Sequence, residues 1–201
     1  MENQPSKKGP TVDYFFHELA RDESRLQRMT DIVVGLISFI FFIITYPIIG
    51  LLIKLTSKGP VLEKVKCPGF RGIIFNLYTY RIHPSTDKVN SNQYALKSFT
   101  SLGKILHSLR LDKLPASINL LNGDIRLVGP VIFPEMRSYE LNSHYTDFFK
   151  RYALKPGLFS PSLHRIDELI EYDASDLKKD LNYVQFPTFK KNLKIIIKHL
   201  I

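Results

Sequence analysis

Residues 110–130, RLDKLPASINLLNGDIRLVGP, gather the side chains best suited to chemistry. Two carboxylates, Asp112 and Asp124, stand among three cations, Arg110, Lys113 and Arg126. A carboxylate can serve as a covalent nucleophile that splits one difficult step into two. Arginine forks onto paired phosphate oxygens. Both residue types also have plain structural roles. Asp112 has the type and place of an N-cap for a helix over 114–121, with Pro115 tolerated in the first turn. Other chemistries have less footing. The six histidines lack metal-ligand spacing, and His164 and His199 are expected at the surface. No glycine-rich phosphate loop is present. Cys67 lies beside Pro68 and Gly69 with no base nearby in sequence, so it reads as structural.

Something must seat these residues, and an apolar run at 31–55, DIVVGLISFIFFIITYPIIGLLIKL, is the dominant element. No formal charge lies between Asp31 and Lys54. The run meets the roughly 20 apolar residues a membrane helix needs. It is too long for a soluble core helix. It starts too late for a signal peptide, and no small-residue cleavage site follows. Pro47 lacks a backbone donor and crowds the carbonyl four residues back. In lipid such a break is tolerated where a nearby group satisfies the freed carbonyl, and Thr45 is a candidate. Arg21, Arg25 and Arg28 precede the run; Lys54, Lys58, Lys64 and Lys66 follow it. Cations on both flanks set no orientation. The run therefore fits a spanning helix kinked at Pro47. It also fits a re-entrant helix-break-helix, bent at Tyr46 and Pro47, with both ends in the cytoplasm.

The rest of the chain alternates short elements. Residues 1–11 are polar and expected to be disordered. Residues 12–29 predict an interfacial helix with Asp13 as cap. Strands are expected at 61–65 and 73–80, a loop at 83–98, and helices at 102–108, 114–121 and 134–151. Turns fall at 57–60, 122–124 and 156–157, with a short strand at 125–128. The last helix, 189–201, puts Phe189, Leu193, Ile196, Ile197 and Leu200 on one face and Lys190, Lys191, Lys194 and Lys198 opposite. Such a helix suits a membrane surface, or a seat on its own domain. The pattern predicts a compact α/β domain at 58–201, behind an anchor at 12–57.

The 201 residues carry a net charge of +9, which suits an anionic partner such as nucleic acid, anionic headgroups or a phosphate-bearing substrate. No helix-turn-helix, zinc or RNA-binding signature supports nucleic acid. The single cysteine excludes an intrachain disulfide and fits a reducing compartment.

Residues 110–130 resemble the bacterial sugar transferases, the monotopic phosphoglycosyl transferases that move a phosphosugar from a nucleotide sugar onto polyprenyl phosphate. The family pattern runs approximately S-L-D-E-L-P-Q, then N-V-L-x-G-D-M-S-x-V-G-P-R-P. This chain keeps Leu111, Asp112, Leu114, Pro115, Asn119, Leu121, Gly123, Asp124, Val128, Gly129 and Pro130. Phe75, Tyr78 and Arg81 resemble F-x-x-Y-K-F-R, and Arg151 with Lys155-Pro-Gly157 resembles R-x-x-V-K-P-G. The resemblance implies a re-entrant anchor and a site on the cytoplasmic face of the bacterial inner membrane. It implies Asp112 as nucleophile, and Mg²⁺ held by Asp112 with a weaker claim for Asp124. Arg81, Arg110, Arg126 and Arg151 would then bind phosphate. The departures gather at the chemistry. Lys113 replaces the metal-binding glutamate, Thr79 a lysine, and His107, Val131 and Cys67 three arginines. Two functions follow: a divergent transferase, or a catalytically silent relative acting as scaffold or subunit of a membrane complex.

Overall fold

The computed structural model describes residues 25–84, 99–162 and 172–200. The tail at 1–11, most of the helix expected over 12–29, most of the loop expected over 83–98, and His164 lie outside them. The fold is mixed but mostly helical. Helix α1, Arg25–Thr56, leads into a hairpin of β1, Leu62–Pro68, and β2, Ile74–Tyr80. Helix α2, Ser101–Ser108, a 3-10 helix, Leu111–Ala116, and α3, Ser117–Asn122, follow. Then come β3, Arg126–Val128, α4, Glu135–His144, a second 3-10 helix, Phe148–Ala153, and β4, Gly157–Phe159. Helices α5, Ala174–Gln185, and α6, Phe189–Leu200, close the chain. The β1–β2 pair is antiparallel, from Leu62 opposite Tyr80 to Pro68 opposite Ile74. The β3–β4 pair is parallel.

Helix α1 buries only a narrow stripe: Gln27, Asp31, Gly35, Phe42, Ile49, Gly50 and Ile53. These recur at helical spacing, so one side lies on the domain along nearly the whole helix. The other side leaves Ile37, Ile40, Phe41, Ile44, Ile48 and Leu51 exposed. Among the described residues α1 is the one helix long and apolar enough to cross a membrane. It carries Pro47 inside it, so the helix is not interrupted at Tyr46 and Pro47. Thr45 Oγ1 donates to the carbonyls of Phe41 at 2.8 Å and Phe42 at 3.3 Å. It thus braces the turn before the proline, whose missing N–H would have met the Ile43 carbonyl.

Polar contacts fix α1 to the segment that carries the family pattern. Arg28 donates to the carbonyls of Leu120 at 3.0 Å and Leu121 at 2.9 Å, which end α3. A cation there complements the helix C-terminus. Gly123 follows at φ 82, the left-handed turn that closes α3. Asp31 Oδ1 accepts the Leu127 N–H at 3.0 Å. Between β3 and β4 the backbones nearly touch. A Cβ on Gly157 would lie 2.0 Å from Gly129 N, so glycine is required at the start of β4 and, just past β3, at residue 129.

Three apolar clusters fill the described interior. One joins the hairpin to α3, β3 and α5 through Cys67, Leu77, Leu120, Val128 and Val184. A second seats α1 on the hairpin base and α2 through Phe42, Ile53, Tyr80 and Leu106. The third centres on Phe133, Phe148 and Tyr172.

Several expected elements differ. Asp112 does not cap a helix; it lies inside the first 3-10 helix, whose N-cap is Arg110. The helix expected over 134–151 is two pieces, parted at residues 145–147. The turn expected at 156–157 instead opens β4. On α6 the packed residues are Ile195, Ile196 and His199, while Phe189, Leu193 and Ile197 stay exposed. His199 is therefore buried, not at the surface.

Candidate active site

Arg110 adopts φ 57 and ψ 20, a left-handed conformation that costs a non-glycine residue energy. It reverses the chain between α2 and the first 3-10 helix and so turns Asp112 inward. The strained residue is held from two sides. Its N–H donates to the His107 carbonyl at 3.0 Å, and its Nη2 donates to the His199 carbonyl at 2.7 Å. Asp112 is 2% exposed. Its Oδ2 lies 3.7 Å from His107 Nδ1. The His107 ring stacks on Phe99 at 5.0 Å, and Phe99 stacks on His83 at 5.1 Å. This three-ring pile fixes the plane of the imidazole beside the carboxylate.

Asp112, Arg110 and Lys113 line a cavity of about 250 Å³. Val34 and Ser38 of α1 form part of its wall, with Leu114, Leu120, Leu127, Ile132, Leu158 and Phe159. A small polar group of residues thus faces an apolar chamber that includes a membrane-type helix. Val131 and His199 also line it. His199 Nε2 lies 3.2 Å from the Ser160 N–H, which donates to it, and 3.0 Å from the Ser160 carbonyl.

The structure divides the sequence-derived site residues into two groups. Asp112, Arg110, Lys113 and Val131 meet at the cavity, and His107 touches Asp112. The others hold the fold together. Arg81 donates to the Lys58 carbonyl at 2.6 Å and the Ser57 carbonyl at 2.8 Å, tying the exit of α1 to β2. Arg126 pairs with Gln27 and, at 3.7 Å, with Asp31, holding α1 to β3. Arg151 meets Asp180 at 2.9 Å and lies over Phe133 and Phe148, each at 4.7 Å. Burial pushes the Asp180 carboxyl above its usual range, while Arg151 opposes that shift. Thr79 pairs across the hairpin with Glu63. Cys67 is fully buried, and burial drives its thiol well above the ordinary range.

Asp124 also serves the fold. Its Oδ2 accepts from Asn119 Nδ2 at 2.9 Å. Asn119 in turn donates to the Asn76 carbonyl at 2.8 Å and accepts the Tyr78 N–H at 3.0 Å. Asn119 and Asp124 therefore dock the segment after Asp112 on β2. Among the described residues, Asp112 is the one carboxylate in the cavity wall, and no three His, Cys, Asp or Glu groups cluster as a metal site. Lys113 stands beside Asp112 where a second carboxylate would be needed. This donor set, one carboxylate with two cations, does not fit a divalent ion held by the protein.

Ser38, Val34 and His199 were not legible as site residues. The first two sit in a run whose only sequence signal is apolarity. His199 shares a face with Asn192, Ile195 and Ile196, a helical spacing hidden by its two polar members.

Residues 22–201 match the family described as bacterial sugar transferase, and the chain belongs to that family. Among curated proteins it is similar to the UDP-glucose:undecaprenyl-phosphate glucose-1-phosphate transferase of Caulobacter vibrioides. The two are 27% identical over 179 residues, covering 86% of this chain and 67% of that protein. A protein of the same description from Klebsiella pneumoniae is 27% identical over 93% of this chain, which spans 42% of that protein. The UDP-N-acetylgalactosamine-undecaprenyl-phosphate N-acetylgalactosaminephosphotransferase of Aeromonas hydrophila is 28% identical over 78% of this chain, which spans 36% of that protein.

Proposed function

We propose that this chain is a membrane-seated sugar-phosphate transferase that carries its phosphosugar on Asp112. One observation carries the reading: a buried carboxylate, flanked by Arg110 and Lys113, faces an apolar cavity walled partly by α1. A nucleotide sugar would present its β-phosphate to the polar end. An Asp112 oxygen attacks that phosphorus, the bond to the nucleoside monophosphate breaks, and the monophosphate leaves. An oxygen of polyprenyl phosphate then attacks the same phosphorus and frees the carboxylate. Arg110 and Lys113 offset phosphate charge, and His107 orients Asp112.

Helix α1 supports the membrane seat. Its buried stripe from Gln27 to Ile53 covers about 39 Å of helix. The charged trio at the cavity lies level with Val34 and Ser38, inside the apolar run. A helix standing across the bilayer would drag that trio beside hydrocarbon, at a cost of several kcal/mol for charge taken out of water. A monotopic seat avoids this: α1 lies along one leaflet as a continuous helix with Pro47 inside it, and both flanks stay on the cytoplasmic face of the bacterial inner membrane. Exposed Phe189, Leu193 and Ile197 on α6, with its lysines, add contact with anionic headgroups.

A second reading, a silent scaffold or subunit of a membrane complex, rests on the arginines. Arg81, Arg126 and Arg151 are engaged away from the cavity, and Val131 supplies no charge there. The test is nucleotide release by the full chain in lipid nanodiscs, across a panel of UDP-sugars with undecaprenyl phosphate. UMP release that is lost in Asp112→Asn supports the transferase. A wild type silent across the panel, yet co-purifying with membrane proteins, selects the scaffold.

A further inference from the structure

The cavity and the metal expectation disagree, and the disagreement defines a ligand. We propose that the cavity binds a phosphate monoester on a long apolar chain without a divalent cation, with Lys113 taking the place of the metal. The inference rests on the transferase-family reading of this cavity and specifies how its phosphate is held.

Three observations lead there. First, the polar end of the cavity holds two cations and one carboxylate. With a second carboxylate at residue 113 the same end would carry net negative charge and would repel a phosphate unless a cation intervened. Lys113 reverses that balance by two charges, and the wall itself becomes attractive to an anion. An ammonium is a compact point charge, the protein group closest in kind to a small hard cation. Second, Arg110 is preset. Its strained backbone and its bond to the His199 carbonyl at 2.7 Å anchor the guanidinium at the cavity. A group fixed before binding loses little entropy when the ligand arrives. Third, the remaining wall is apolar and includes Val34 of α1. A free phosphate gains nothing from that wall. An isoprenoid or acyl chain does, at about 25 cal/mol for each Å² of apolar surface removed from water.

The carboxylate is the apparent difficulty, because Asp112 and a phosphate repel. His107 lies on the Asp112 side of the pair at 3.7 Å, and Lys113 adjoins Asp112 in the chain. Lys113 reduces that repulsion without a metal, and the His107 ring keeps a ring nitrogen on the carboxylate.

The test titrates undecaprenyl phosphate, dioleoyl phosphatidic acid and inorganic phosphate against the full chain in neutral-lipid nanodiscs. Each titration is run in EDTA and in magnesium. Undecaprenyl phosphate should bind equally in both buffers, and tighter than inorganic phosphate. Phosphatidic acid binding as tightly would support metal-free binding and assign the site to lipid phosphates at large. In Lys113→Glu, affinity in EDTA should fall by about tenfold and recover in magnesium. Lys113→Met, which adds no carboxylate, should weaken binding in both buffers alike. Thermal melts of both variants establish that they fold. Wild-type affinity that rises tenfold on adding magnesium overturns the inference and leaves the transferase reading intact. Failure to bind undecaprenyl phosphate in either buffer removes the transferase reading and this inference together. Unchanged EDTA affinity in a folded Lys113→Glu protein also overturns it.

Discussion

Arg151→Met should destabilise the protein while leaving ligand binding by the folded molecules unchanged. The Arg151 side chain is 3% exposed and its partner Asp180 fully buried. Arg151 Nε and Nη2 donate to Asp180 Oδ2 at 3.0 and 2.9 Å, and Nη2 also reaches the Val131 carbonyl at 2.6 Å. After truncation Asp180 Oδ2 keeps the Tyr172 hydroxyl at 3.0 Å and the Val131 N–H at 3.3 Å. A buried carboxylate stripped of its cation costs about 3–5 kcal/mol. Loss of the cation–π contacts adds about 1–2 kcal/mol. For a chain of this length that lowers Tm on the order of 10 °C. The sign with pH is fixed. Burial already raises Asp180, and removing Arg151 raises it further, so the folded variant takes up protons that the unfolded chain does not. Its stability deficit against wild type shrinks as pH falls through the raised pKa and is fullest above it. Arg151→Met with Asp180→Asn should recover at least half of the loss. Circular-dichroism melts in nanodiscs give the stability, and polyprenyl-phosphate titration gives the binding. A variant that melts with the wild type but no longer binds would refute the structural assignment of Arg151.

Gly157→Ala drives a Cβ to 2.0 Å from Gly129 N and should cost about 3 kcal/mol or more, read as failure to fold or a large drop in Tm. Cys67 is the only cysteine and its raised thiol pKa keeps it protonated, so a thiol reagent at mildly alkaline pH should react only after denaturant is added; prompt reaction of the native protein would contradict its burial. Amide exchange over 189–200 should slow in anionic relative to neutral nanodiscs, and identical exchange in both would remove α6 from the membrane seat.

Much of the fold was legible because periodicity was strong. The apolar run, the β1–β2 hairpin and the helices at 101–108 and 189–200 lie close to their expected bounds. Helix α5 was missed, although Asp173 and Asp176 form a capping box at its start. Strand β4 is three residues long and exists through pairing with β3, which is invisible to local pattern. At the candidate site, the motif pointed to Asp112, which lines the cavity with Lys113 and Val131, whereas the changed positions Thr79 and Cys67 lie in the hairpin, and charge type alone did not separate the cavity-lining arginine from buried ones. Arg81, Arg126 and Arg151 are partnered by carbonyls, an amide and carboxylates distant in sequence. Only tertiary packing decides that. The cap reading of Asp112 failed because the left-handed turn at Arg110, stabilised from α6, starts a 3-10 helix instead.

In the proposed reaction the Asp112 carboxylate becomes an acyl phosphate that carries the sugar. The direct measurement is intact and peptide mass spectrometry of the full chain in nanodiscs, quenched soon after addition of UDP-sugars without polyprenyl phosphate. One phosphosugar mass is expected on the peptide containing Asp112, discharged when undecaprenyl phosphate is added and absent from Asp112→Asn. An adduct on another residue, or turnover undiminished in Asp112→Asn, would contradict it.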